Sequence, residues 1–221
     1  LLDRRTSLIH SFKQLAPSIG SFCRAVTSVA LLVALSFQTS RSQSATQTPS
    51  LPYQWPRSHN YDVQHYKTAI RFDWSTRSIA GETAITFRPF AGDVTEIQLD
   101  AGEMTIESVK LASGTPLKYR YEKNEELFVA LDRAYPSGKD VTIRVAYNAT
   151  PKKGLTFITP TESEPNLPNQ IWSQGETGFN HYWFPCYDYP NDKATSELIA
   201  TAEDKYQVVS NGVLVEVQPD P

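Results

Sequence analysis

From Tyr66 the chain alternates. Tyr66, Thr68, Ile70, Phe72 and Trp74 take every second position with mostly polar residues between them, and Thr83, Ile85 and Phe87 repeat the pattern beyond a turn near Arg77. A period of two sends successive side chains to opposite faces of a pleated strand, so these runs predict a hairpin with one face on a core. The pattern continues at Ile97 and Leu99, at Ile106, Val109 and Leu111, at Tyr119 and Tyr121, at Leu127, Val129 and Leu131, and at Val141, Ile143, Val145 and Tyr147. Turn-forming residues at 91–93, 113–116, 123–124 and 136–138 part the runs at spacings of roughly 8 to 14 residues. No stretch sustains a helical period. Short strands at this spacing predict an all-β fold, an antiparallel sandwich or saddle, rather than βαβ units. A looser run from 151 to 170, with Pro160, Pro165 and Pro168, follows; strands resume at 195–202 and 206–217.

Composition agrees with a sheet protein: 11 Tyr, 10 Phe and 4 Trp stand against one Met, and aromatic side chains suit a half-buried pleated surface. The formal charge is only -3 and the basic residues are scattered, so no electrostatic footprint for nucleic acid is present. Residues 1–47 read differently. Arg4, Arg5, Lys13 and Arg24 precede an apolar run from Ala25 to Phe37, and Ser42 and Ser44 offer small residues at a cleavage point. That order describes a signal peptide with its flanks, predicting export to the periplasm or the extracellular space. The run falls short of the ~20 residues of a membrane span, so no stable span is expected. An uncleaved anchor or a buried helix is the alternative. Residues 48–59 read as a flexible leader, and 60–221 as the folded domain. Cys23 lies in the signal and only Cys186 remains beyond it, which leaves no disulfide framework; a lone Cys among Pro and aromatics reads as buried packing.

The catalytic motifs sought in the sequence are missing. None of His10, His59, His65 and His181 opens an HExxH pair, and no G-x-S-x-G elbow or Gly-rich phosphate loop occurs. His59 and His65, six apart along a strand, do not make a metal pair. Asn148-Ala-Thr150 fits a glycosylation acceptor, a triplet that also arises by chance. The unusual segment runs from Ile171 to Lys193 and spends Trp172, Phe179, Tyr182, Trp183, Phe184, Tyr187 and Tyr189 in one loop. Exposed, these form a sticky patch; buried, they pack on something large. Within it Gln174 and Glu176 are two apart, so on extended backbone both project to one side. A carboxylate beside an amide suits a peptide N-terminus, the one pairing with the ammonium and the other bonding a peptide group. As residues alone they read more readily as a solvated loop than as a binding pair.

The segment resembles a hallmark of the aminopeptidase N family of zinc peptidases, in which an N-terminal β domain precedes a thermolysin-like catalytic domain. The residues that carry the resemblance are Ser173-Gln174-Gly175-Glu176, then Trp183-Phe184-Pro185-Cys186-Tyr187-Asp188-Tyr189-Pro190, then Lys193-Ala194-Thr195, with further similarity at the opening Tyr61 to Tyr66 and at Val209 to Gly212. The resemblance implies that Glu176 anchors the free α-amine of a peptide substrate and that Gln174 contacts it near the N-terminus. It implies that the Phe-Pro-Cys-x-Asp-x-Pro part is scaffold, with Asp188 bonding backbone. His181 departs from the pattern, where arginine is usual, as does Tyr189, where glutamate is. It also implies zinc in a full-length enzyme, held by a catalytic domain in the same chain and not by these residues, since neither the HExxH motif nor the Gly-x-Met-Glu-Asn loop is present. No catalytic or metal-ligating residue is therefore expected here, and by itself the fragment is expected to be inactive, its β domain stopping short of the family's usual end. A stand-alone secreted β-sandwich that serves as a binding or docking module is the competing expectation.

Overall fold

The two strongest alternating runs pair with one another. The computed structural model, which describes residues 7–14, 57–90 and 92–220, forms them as β2 (Tyr61–Asp73) and β3 (Ser78–Pro89), antiparallel through a turn at Arg77. Beyond β3 come β4 (Val94–Asp100), β5 (Met104–Leu111), β6 (Lys118–Glu122), β7 (Glu126–Tyr135) and β8 (Val141–Ala149), each within a few residues of its predicted run. A short hairpin of β9 (Leu155–Ile158) and β10 (Gln170–Ser173) leads through a 3-10 turn at Asn180–Tyr182 to β11 (Thr195–Glu203) and β12 (Val213–Pro219). Among the described residues there is no α-helix.

A seven-stranded sheet runs in the order β12-β1-β11-β2-β3-β8-β5, where β1 is Ser7–Gln14, and a three-stranded sheet runs β4-β7-β6. Every pairing in them is antiparallel except that of β11 with β2, so the fold is all-β but the larger sheet is mixed. The alternation explains the core. Ile85, Phe87, Ile143 and Val145 from one sheet and Ile97, Leu99, Leu127 and Val129 from the other are at most 1% exposed and belong to one cluster. Burying each such side chain contributes about 1.5 to 3 kcal/mol. In between, Thr68 and Thr83 satisfy one another by a hydroxyl contact of 3.2 Å, the economical way to keep two polar groups inside.

Three strands were not expected. β9 and β10 fall in or at the end of the run read as loose, because four residues are too few to show a period against neighbouring prolines. β1 falls in the basic region ahead of the apolar run, where charge order outweighed a short strand signal; it lies between β11 and β12 and is antiparallel to both. Conversely, the last strand starts at Val213 and not at 206, since Tyr206 turns aside to stack on Trp74 at 5.1 Å. The apolar run from Ala25 to Phe37, the cleavage point and the leader up to residue 56 lie outside the described residues.

Candidate functional site

Gln174 and Glu176 leave the end of β10 on a segment held from three sides. Gly154, just before β9, accepts the Gln174 N–H at 2.8 Å, and Gly175 accepts the Phe179 N–H at 2.9 Å, which closes the turn. Asn180 lies directly against Gly175: a Cβ there would stand 2.2 Å from its Oδ1. The residue between the amide and the carboxylate therefore has to be small. Asn180 in turn donates to Asp188 Oδ1 at 3.3 Å, while Asp188 Oδ2 accepts the backbone N–H of His181 at 3.1 Å and faces its Nδ1 at 2.8 Å. Burial alone would raise the Asp188 carboxyl, but the His181 hydrogen bonds outweigh it and hold the group below the usual carboxylate range.

The Pro-Cys part ties this loop to the sandwich. Cys186 exchanges two backbone hydrogen bonds with Asp100 at the end of β4, at 2.7 and 3.0 Å. The Asp100 carboxylate accepts the Asp188 N–H at 2.9 Å and is paired with Arg57, whose guanidinium sits over Tyr187 at 4.8 Å and Tyr189 at 5.3 Å. The hydroxyl of Tyr66 from β2 accepts the Tyr187 N–H at 3.0 Å. The aromatic residues thus divide. Phe184 and Trp183 pack on the core, whereas Trp172, Phe179 and Tyr189 remain exposed.

Cys186 is buried, and burial pushes its thiol well above the ordinary range, so it should be chemically quiet. Iodoacetamide at neutral pH should leave the Cys186 peptide unmodified until denaturant is added, as read by peptide mass spectrometry. Labelling of the native protein within minutes would show the loop to be open.

Gln174 and Glu176 both line one cleft of about 990 Å3, although β10 ends at Ser173 and Glu176 lies in a turn and not on extended backbone. Four carboxylates line it, those of Glu176, Asp188, Asp192 and Glu197, with no Lys, Arg or His among the lining residues. Three of the four have a basic group nearby: Asp188 has His181, Asp192 has His59 at 3.5 Å, and Glu197 has Lys67 at 2.8 Å and His65 at 3.9 Å. Glu176 is exposed and has no ion-pair partner among the described residues. Burial raises the Asp192 carboxyl above its usual range, countered in part by the Val63 N–H it accepts at 3.0 Å. Asp192, Glu197 and Asn180 went unnoticed in the sequence, since each joins the cleft only through contacts more than a hundred residues away or across the loop. A second cleft of about 490 Å3, between the β9–β10 hairpin and β11, is lined mainly by apolar residues such as Ile70, Phe72, Leu155 and Leu198.

Among the described residues no three His, Cys, Asp or Glu side chains are grouped to hold a metal ion. These residues do not fit a zinc site.

The loop of this β domain thus presents Gln174 and Glu176 at the edge of a cleft lined by carboxylates. The chain belongs to the peptidase M1 N-terminal domain family, which it matches over residues 62–221. It is 26% identical to leucine aminopeptidase 2 of Neurospora crassa over 219 residues, 92% of this chain and 32% of that protein. To aminopeptidase N of Lactobacillus helveticus it is 30% identical over 164 residues, 72% of this chain and 18% of that protein. It therefore spans about a third or less of these curated relatives. In fold it is similar to yeast LTA4 hydrolase (TM-score 0.54, 18% identity, 69% of this chain and 25% of that one) and to the M1 zinc metallopeptidase of Deinococcus radiodurans (TM-score 0.52, 21% identity, 64% and 32%).

Proposed function

We propose that this domain grips the N-terminus of a peptide substrate for an exported zinc aminopeptidase, with Glu176 taking the α-ammonium and Gln174 bonding the peptide beside it. Hydrolysis and the zinc that activates water for it belong to a catalytic domain in the same protein, so this part alone is inactive. The observation that carries the reading is the charge arrangement of the cleft: of four lining carboxylates, Glu176 alone lacks a basic partner among the described residues. An ammonium is the ligand group that completes it. The family membership and the similarity to a leucine aminopeptidase and an aminopeptidase N support the same direction.

The test is an NMR titration of the 15N-labelled chain with L-leucinamide and with N-acetyl-L-leucinamide, which has no ammonium. Leucinamide should shift the amides of Gln174, Gly175 and Glu176, and the acetylated compound should not. A charge-assisted hydrogen bond contributes about 1.5 to 3 kcal/mol, so Glu176→Gln should weaken leucinamide roughly ten- to hundred-fold while leaving the melting temperature unchanged. Equal shifts from both compounds, or full binding by Glu176→Gln, would favour the docking-module alternative.

Export is supported by the basic residues followed by the apolar run between 25 and 37. Cleavage near Ser42 would detach Ser7–Gln14 from the domain. N-terminal sequencing and intact mass of the secreted protein therefore distinguish a processed chain from one that keeps β1.

A further inference from the structure

We propose that His181 is a positioning residue whose protonation governs how firmly the Gln174–Glu176 segment holds a ligand amine, an inference that rests on the amine-binding reading above. Its ring is only 12% exposed and stands between two carboxylates: Nδ1 lies 2.8 Å from Asp188 Oδ2, and Nε2 lies 3.5 Å from Glu125 Oε1. Nε2 is buried and has no hydrogen-bond partner. A neutral imidazole has one N–H and one lone pair, so it can donate toward one carboxylate and must present its lone pair to the other. The imidazolium donates toward both.

The path from the ring to the cleft is short. Asp188 bonds His181 through one oxygen and Asn180 through the other, and Asn180 is the group packed on Gly175. Protonation of His181 makes the Nδ1 bond to Asp188 charge-assisted and so tightens it; Asp188 holds Asn180, and Asn180 packs on the residue that separates Gln174 from Glu176. The charged and titratable groups around the ring are few. Glu125 approaches from the β6–β7 turn and Asp188 from the loop beyond the 3-10 turn, while Tyr182 lies against the ring at 4.3 Å and accepts a hydrogen bond from Lys153 at its hydroxyl at 3.3 Å. From the β4–β5 turn the ring is backed by Gly102, with Asp100 reaching the Asp188 backbone and Glu103 paired to Lys152 at 3.9 Å. The nearest charged groups are the two carboxylates. An arginine at this position would keep its charge at every physiological pH; histidine makes the brace conditional.

The experiment compares leucinamide affinity of the wild-type chain and His181→Arg from about pH 5 to about pH 8, the range in which an imidazole changes charge. Taking the ratio of the two dissociation constants cancels the titration of the ligand's own amine. The ratio should be close to one at the acid end and rise about five-fold toward the alkaline end, the low end of coupling between linked sites. In the ligand-free chain, the His181 ring 15N signals and the amides of Gly175 and Glu176 should titrate with one midpoint, and those amide titrations should vanish in His181→Arg. His181→Gln, neutral throughout, should bind at every pH as the wild type does at the alkaline end, which keeps the test sharp if the arginine variant fails to fold. A flat ratio with strong leucinamide binding overturns this inference alone. Absence of leucinamide binding at any pH overturns the amine-binding reading and this inference with it.

Discussion

Asp100→Ala should lower the melting temperature by about 6 to 12 °C, from a loss of about 3 kcal/mol at 2–4 °C for each kcal/mol in a domain of this size. The carboxylate is 12% exposed and the Arg57 guanidinium 20% exposed, so this pair is shielded from solvent, unlike Arg88 with Asp140, where both side chains are more than 40% exposed. Removing Asp100 leaves a shielded guanidinium with only the faces of Tyr187 and Tyr189 as company, and it orphans the Asp188 N–H. Breaking one half of a buried pair costs about 3 to 5 kcal/mol because the remaining charge is uncompensated, and partial exposure puts this case at the lower end. The double variant Arg57→Met with Asp100→Leu should recover part of the loss, since neither charge is then stranded. A melting temperature within 2 °C of wild type for Asp100→Ala, about the shift from 1 kcal/mol or less, would mean that the loop is held by its backbone bridge to Cys186 alone.

How much of this was legible in sequence depends on whether the signal was local. Strands β2 to β8 announced themselves because a period of two repeats within each run, as in Val141, Ile143, Val145 and Tyr147, all buried on one face. The parallel pairing of β11 with β2 did not, since it joins Thr195 to His65 across 130 positions and no local pattern encodes the partner. The same limit explains the site. Gln174 and Glu176 drew attention through their two-residue spacing and the resemblance, whereas Asp192 and Glu197 line the same cleft through tertiary contacts with His59, Val63 and Lys67. His181 stood out only as a departure from a pattern; that both its nitrogens would face carboxylates required the fold.

Gly154→Ala should be the most damaging small substitution near the cleft. Gly154 has φ +75°, a conformation an alanine adopts at a cost of roughly 1 kcal/mol, and its added Cβ would stand 2.0 Å from the carbonyl oxygen of Phe179. No side chain can swing aside to relieve that collision, because the obstacle is backbone. Either the entry to β9 moves, breaking the Gln174 N–H bond to the Gly154 carbonyl, or the turn from Phe179 to Trp183 moves and takes Asn180 off Gly175. Both routes displace the Gln174–Glu176 segment, and strain at a constrained backbone position adds about 1 to 3 kcal/mol to the conformational term. The total, about 2 to 4 kcal/mol, should appear as a melting temperature lower by roughly 4 to 16 °C. Gly114→Ala supplies the control: Gly114 has φ +92° with nothing within 4 Å, so it carries the conformational cost without the collision. Hydrogen exchange separates the consequences further, since the Gln174 amide should lose protection in Gly154→Ala while the amides of β3 and β8 keep theirs. Glu176→Gln should weaken the ligand and keep the fold; Gly154→Ala should impair both. If Gly154→Ala melts with Gly114→Ala and still shifts normally with leucinamide, the Phe179 carbonyl is not fixed against β9 and the cleft wall is softer than its geometry requires.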